Sequence, residues 1–149
     1  MNNKTTRFAD IIPMIEERLS FGETVTFSPS GESMLPLFRQ GRDTVTLSPV
    51  KGEVRKNDIV FFRRDDGSFV LHRVVRVGET LEIIGDNQLY RETNIKYEQL
   101  IGVVTSFERR GRCNGEKKMK SRPYLAYISA RRIMRRLFKK IRRILKGRN

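Results

Sequence analysis

Apolar residues near the start of the chain recur with the spacing of a helix. Between residues 8 and 20 they lie three and four positions apart, at Phe8, Ile11, Ile12, Ile15 and Leu19. Residues with that spacing share one side of a helix. Pro13 lies inside the span and removes one backbone hydrogen bond there. The periodicity still predicts a short amphipathic helix over residues 8–20.

From Thr24 onward the pattern changes to short β-rich runs bounded by turn residues. The runs are "TVTFS", "DTVTLS", "DIVFFRR", "SFVLHRVVRV", "TLEII" and "LIGVVTSFE". Gly, Asp-Asn or Pro separates them, as in loops between strands. The Asp-Gly pair in "RRDDGSF" (63–69) predicts a tight hairpin. Because no helical pattern intervenes, we predict a mainly β domain whose antiparallel sheet is curled on itself or partly closed.

The last third of the chain predicts a basic helix after a polar linker. The linker is "RRGRCNGEKKMKSRP" (109–123), and beyond it arginines and lysines alternate with a stripe of apolar residues, namely Leu125, Ile128, Ile133, Met134, Leu137, Phe138, Ile141, Ile144 and Leu145. Opposed apolar and basic faces indicate an amphipathic helix. The predicted organisation is a helix in 1–23, a β domain in 24–116, and a basic linker with helix in 117–149.

Charge separates this last segment from the rest of the chain. The net charge is +14, and residues 117–149 contain 14 Lys and Arg but no Asp or Glu. A helix with these faces is typical of membrane surfaces, so we expect residues 123–146 to bind an anionic membrane. Alternatively, the apolar stripe packs on the sheet and the arginines are solvated. Nucleic acid is disfavoured, because a long apolar stripe has no role on a phosphate backbone.

Composition limits the remaining function classes. Hydrophobic content of 38% and charged content of 32% indicate a soluble globular protein. A single cysteine excludes an intrachain disulfide, and a single histidine excludes a Cys/His zinc cluster, so we expect no metal and no cofactor. The sequence lacks both a membrane-spanning run and a signal-peptide pattern. We therefore expect a cytoplasmic protein, peripheral on the inner face of the membrane.

The loop "FSPSGESMLPLF" (27–38) contains the first candidate for chemistry, Ser33. A serine in a loop is usually solvated or bonded to its own backbone. Here Gly31 permits a sharp turn that presents consecutive N–H groups toward one point, as an oxyanion site requires. Pro36 stiffens the loop and Met34 can anchor it in the core. The pattern therefore favours a rigidly held nucleophile.

A nucleophilic serine needs a base, and His72 is the one histidine in the sequence. Histidine titrates near neutrality and can accept the serine proton; a packed structural histidine is the alternative. An acidic residue would orient the imidazole, and Asp86, in a Gly-Asp-Asn turn, and Glu92 are the candidates. Spacing does not choose between them, although the tight turn favours Asp86 as the better aimed carboxylate.

Four motifs together resemble a known family. "SGESMLPLF", "KNDIVFF", "VLHRVV" and "GDN" occur in the order and approximate spacing of type I signal peptidases and the related self-cleaving repressor peptidases, over residues 24–105. The resemblance implies that Ser33 is the nucleophile and that His72 is the base of the endoplasmic-reticulum-type variant. Asp86 matches the acid of the Gly-Asp-Asn box, and Glu92 a second acidic position.

The resemblance also has implications for the oxyanion site and for the substrate. It implies an oxyanion site formed by Gly31 and the amides of Ser33 and its neighbours, with the Ser30 hydroxyl as an additional candidate donor. Signal peptidases carry a membrane anchor and have threonine where this chain has Leu37. The expected function is a serine endopeptidase that cleaves a leader-bearing or membrane-proximal peptide. The alternative is an inactive peptidase-like binding module that docks on membrane or nucleic acid through its basic tail.

Overall fold

The structure, a computed structural model, describes residues 8–146. Helices lie at both ends of a run of eight strands. The elements are α1 (Phe8–Ser20), β1 (Val25–Phe27), β2 (Asp43–Ser48), β3 (Ile59–Arg63), β4 (Phe69–Arg76), β5 (Leu81–Ile84), β6 (Glu92–Ile95), a 3₁₀ helix (Tyr97–Gln99), β7 (Leu100–Arg109), β8 (Arg112–Gly115), α2 (Glu116–Met119) and α3 (Arg122–Lys146). Among these residues, no helix is both long and apolar enough to cross a membrane.

The strands form one antiparallel sheet that does not close into a barrel. Its order is β1-β2-β7-β3-β4-β5-β6, and β8 pairs with β7. β3 and β4 form the predicted hairpin, in which Arg63 pairs with Phe69 and Val60 with His72. Gly67 has a φ of 83° in the connecting turn, a value that favours glycine. The predicted mainly β, antiparallel architecture is confirmed.

Two strands, β6 and β8, fall where no strand was predicted. Both are short and polar, with the sequences "ETNI" and "RCNG", and most of their side chains are not buried. Neither shows the alternation of apolar and polar residues that marks a strand in the sequence. Their neighbours in the sheet determine their conformation instead. The segment predicted as a polar linker (109–123) thus contains β8 and the short helix α2.

Helix α1 covers one face of the sheet, as its periodicity predicted. Ile12, Ile15 and Leu19 are buried in a cluster with residues of the sheet such as Phe61 and Phe107. A second cluster covers the opposite face, built from Val54, Val60, Phe62, Val74, Leu81, Ile83 and Ile95. The sheet is therefore buried on both sides, and α1 is part of the packed body.

Helix α3 forms over the predicted residues. The alternative interpretation placed its apolar stripe on the sheet, but in the structure most of the stripe faces away from the sheet. Seven residues of the stripe point away from the body with 50% to 62% of their surface exposed: Ile133, Met134, Leu137, Phe138, Ile141, Ile144 and Leu145. Its arginines contact the body, and Ile128 is its buried apolar residue. That alternative is therefore wrong for these seven residues, because the guanidinium groups bond to backbone carbonyls that apolar side chains could not satisfy.

We predict that α1 contributes directly to stability. Ile15 is 0% exposed and its neighbour Met14 is 47% exposed. Replacing Ile15 with Ala leaves a cavity and should lower the free energy of unfolding by about 2–5 kcal/mol. The matched change Met14→Ala should alter it by no more than about 0.5 kcal/mol. Urea denaturation measures both, and equal effects of the two changes would show that α1 does not pack as described.

Candidate active site

The serine loop connects β1 to β2 and is fastened to the core directly after Ser33. Met34, Leu37 and Phe38 are buried in the α1-side cluster, while Ser33 itself is half-buried. Within the loop the Phe38 N–H donates to the Met34 carbonyl at 3.0 Å. Gly31 has a φ of 77°, which permits the turn before Ser33. Met34 therefore anchors the loop as the sequence predicted.

The buried carboxylate of Asp43 holds the far end of this loop. Its Oδ2 accepts the Arg39 N–H at 2.9 Å, and its Oδ1 accepts from Arg109 Nε at 2.8 Å. Burial by itself would raise the pKa of Asp43, but bonds from Arg42 and Arg109 outweigh it and lower the pKa to about 2. The group therefore stays ionised and ties the end of the serine loop to β7.

The Gly-Asp-Asn turn after β5 packs directly against the serine loop. The Asn87 N–H donates to the Ser33 carbonyl at 2.8 Å, and the Asn87 side-chain amide donates to the Glu32 carbonyl at 3.0 Å. A Cβ atom on Gly85 would lie 2.6 Å from the Ser33 carbonyl oxygen and 3.1 Å from Cδ2 of His72. Glycine is required there, because the serine loop and the imidazole both pack against its backbone.

His72 lies in β4 and is completely buried. Its partner in β3 is Val60, so both belong to the sheet face opposite α1. Nδ1 lies 2.7 Å from Glu92 Oε1, although the contact is not aligned as a hydrogen bond. Nε2 has no hydrogen-bond partner within residues 8–146. Cδ2 and Nδ1 lie on opposite sides of the ring, so the side with Nε2 and Cδ2 faces Gly85.

Glu92 is held against the imidazole by an arginine that the sequence analysis did not single out. Arg64, in the β3–β4 turn, donates from Nε to Glu92 Oε2 at 2.6 Å and from Nη2 to Oε1 at 2.7 Å. Burial would raise the pKa of Glu92, but the bonds from Arg64 and the nearby His72 lower it overall. The carboxylate is therefore ionised and fixed by a two-point contact.

Asp86 lies among different partners. It accepts from Arg73 Nε and Nη2 at 2.8 and 2.7 Å, and from the Tyr124 hydroxyl at 2.7 Å. Arg73 follows His72 in β4 and therefore points to the opposite face of the sheet. The preference for Asp86 as the orienting acid is corrected by this geometry. Glu92 contacts the imidazole, whereas Asp86 is bound by the adjacent arginine.

The surroundings of His72 favour its neutral form. Burial lowers the pKa of the imidazole, Glu92 opposes that effect and Arg64 adds to it, so the pKa lies below the ordinary value of 6.5. A neutral imidazole near Glu92 at Nδ1 has Nε2 available to accept a proton. The imidazole thus meets one requirement of a general base, a ring nitrogen that can accept a proton.

The predicted oxyanion residues lie around a small cavity of about 60 Å³ beside Ser33. Ser30, Gly31 and Met34 line it together with residues of β3 and β4. The Gly31 N–H donates to Gln40 Oε1 at 3.3 Å. The Ser33 N–H has no hydrogen-bond partner among the described residues. Of the predicted donors, the Ser33 amide and the Ser30 hydroxyl therefore have no partner among these residues and are free to bind an anion.

The fold and these residues together define a peptidase-like domain, in which an anchored serine loop and a buried histidine pack against one glycine. The model of the family described as Peptidase S24-like matches residues 8–105. The chain belongs to this family. No curated protein and no solved structure shows significant similarity to the chain. The resemblance to peptidases is therefore supported at the level of the S24-like family, and the histidine-base signal peptidase variant remains a prediction.

We predict that a titration of the imidazole distinguishes the two acids. His72 is the one histidine of the chain, so its NMR signals are unambiguous and should titrate with a pKa below 6.5. Because the negative charge of Glu92 raises the pKa of His72, Glu92→Gln should lower it further. Asp86→Asn, which acts on a more distant charge, should lower it less. A larger decrease in the His72 pKa from Asp86→Asn would show that Asp86 is the acid coupled to the imidazole.

Proposed function

We propose that the protein is a serine endopeptidase in which Ser33 is the nucleophile, His72 the general base and Glu92 the orienting acid. The observation that supports this most directly is the environment of His72. Its imidazole is buried, Glu92 lies at Nδ1, and Nε2 is unpartnered within the described residues on the side of Gly85, where the serine loop packs. An imidazole held for packing alone would have no need of an ionised carboxylate fixed by Arg64.

Each of these residues then has a defined role in the reaction. Nε2 of His72 removes the proton of Ser33 Oγ as the oxygen attacks the scissile carbonyl, and the Ser33 N–H stabilises the resulting oxyanion. The protonated imidazole, stabilised by Glu92, then donates its proton to the leaving amine. A water molecule, activated by the same imidazole, hydrolyses the acyl-enzyme and restores Ser33. Arg64 acts as a positioning residue, because it touches Glu92 and not the reacting atoms.

The proposed substrate is an extended peptide that adds to the free edge of β4. Residues 69–71 pair with β3 on one side, while the pairing of β5 with β4 begins at Arg73. Phe69, Val70 and Leu71 also line the cavity beside Ser33. A strand at this edge would gain backbone hydrogen bonds and insert a side chain into the cavity. Its small volume favours small side chains, as expected for a leader-bearing or membrane-proximal peptide.

The proposal is tested by mass-spectrometric analysis of a peptide library incubated with the full chain. We expect cleavage that Ser33→Ala reduces by at least about 10³-fold, since it removes the nucleophile. Ser28→Ala is the matched control, because Ser28 is an exposed serine of the same loop. Unchanged cleavage in Ser33→Ala, or none in the wild type, would contradict the proposal. Cleavage confined to the chain itself would instead indicate self-processing and contradict an external substrate.

The pH dependence of cleavage should show an acidic limb below pH 6.5. The base must be neutral, and burial lowers the pKa of His72 from its ordinary value, so activity persists at a pH where an exposed histidine is protonated. The unfolded chain then binds the proton more readily than the folded protein, and the free energy of unfolding should fall as the pH drops below about 6.5. Initial rates and urea denaturation across pH measure both. A limb above pH 6.5 would contradict the assignment of His72.

A further inference from the structure

The basic side of α3 binds the body of the protein. Several of its cations bond to oxygen atoms of the segment from Gly85 to Tyr90, which holds the serine loop. The donors are Arg132 to the Gly85 carbonyl (3.1 Å), Arg135 to the Asn87 carbonyl (2.6 Å), Arg131 to Asn87 Oδ1 (2.9 Å), Arg136 to the Leu89 carbonyl and Lys139 to the Tyr90 hydroxyl (3.2 Å). These contacts fix the rotation of the helix about its own axis.

The fixed rotation turns the apolar stripe of α3 outward along the side opposite the body. The stripe consists of Ile133, Met134, Leu137, Phe138, Ile141, Ile144 and Leu145, each at least half exposed. Since these positions are three and four apart, they form one continuous apolar strip over more than three helical turns. Scattered apolar residues on a surface need no explanation, but a contiguous strip of this kind marks a site of interaction.

The charged residues beside the apolar stripe indicate what kind of partner can bind it. Lys140, Arg142, Arg143 and Lys146 are exposed and have no hydrogen-bond or ion-pair partner within residues 8–146. No acidic residue occurs between 117 and 149. A second copy of the helix would therefore bring like charges together beside the apolar contact. A partner with an apolar interior and a negatively charged surface would match both the apolar stripe and the unpaired cations beside it.

We propose that α3 docks on an anionic lipid bilayer through its apolar stripe. Leu137 and Ile141 lie near the middle of the stripe and would enter the boundary between headgroups and acyl chains. Lys140 and Arg142 lie at its two margins, where long cationic side chains reach the phosphate groups. The arginines that bind the Gly85–Tyr90 segment remain on the side away from the bilayer. The docking does not require the proposed peptidase chemistry.

The test is co-sedimentation of the full chain with vesicles of phosphatidylcholine, with and without phosphatidylglycerol. Wild type should bind the anionic vesicles and not the neutral ones. The double change Leu137→Ser with Ile141→Ser should weaken that binding at least about tenfold by removing apolar contact with the bilayer. Phe21→Ser is the matched control, because Phe21 is 75% exposed and lies outside α3; it should bind like wild type.

Four results would overturn the proposal. The first three are no binding of wild type to anionic vesicles, equal binding of the double variant, and tighter binding to duplex DNA or RNA than to vesicles at the same salt concentration. Self-association that the double variant abolishes would also overturn it, by making the stripe an interface between copies. Cleavage of a soluble peptide is measured in parallel and should be unchanged in the double variant. Absent cleavage with intact vesicle binding would count against the proposed function alone.

Discussion

The buried ion pair between Arg73 and Asp86 joins the segments around the candidate active site. Besides Asp86, Arg73 donates to the carbonyls of Asn57 and Met119 at 3.0 and 3.1 Å. Asp86 in turn accepts from Tyr124 in α3. Burying two charges away from water costs free energy, but here most donors and acceptors of the pair have hydrogen-bond partners. Removing one partner of such a pair typically lowers the free energy of unfolding by about 3–5 kcal/mol. Through Asp86 the pair holds the turn that bonds to the serine loop.

This constraint explains why two carboxylates only six residues apart have different roles. Arg73 binds Asp86 on the face of the sheet that α1 covers. His72, one residue earlier, points to the other face, where Glu92 in β6 lies against it. Asp86 therefore joins segments of the scaffold, whereas Glu92 contacts the imidazole. The alternation of side chains along β4 separates these tasks.

The sequence alone predicted the elements whose side chains alternate or recur clearly, including α1, the β3–β4 hairpin and α3. It missed β6 and β8, because their conformation comes from pairing with neighbours and not from their own polar residues. It identified the candidate site residues, but their partners depend on long-range contacts. Arg64 reaches Glu92 across 28 positions of the chain, and no local pattern marks such a contact. The outward direction of the α3 stripe likewise depends on carbonyl groups in a distant turn.

The adjacent positions of His72 and Arg73 make the length of the β3–β4 turn critical. Side chains of a strand alternate, so a slip of one residue in pairing moves every one of them to the other face. A change in the length of the turn between Arg63 and Phe69 that shifts the pairing of β3 and β4 by one residue would direct the imidazole to the face of Asp86 and the guanidinium to the face of Glu92. Both carboxylates would keep a basic neighbour, and the sheet could still form, but His72 would lose its contact with Glu92. A change of register through this turn is thus less tolerable than substitution at its exposed positions, Asp65 and Asp66.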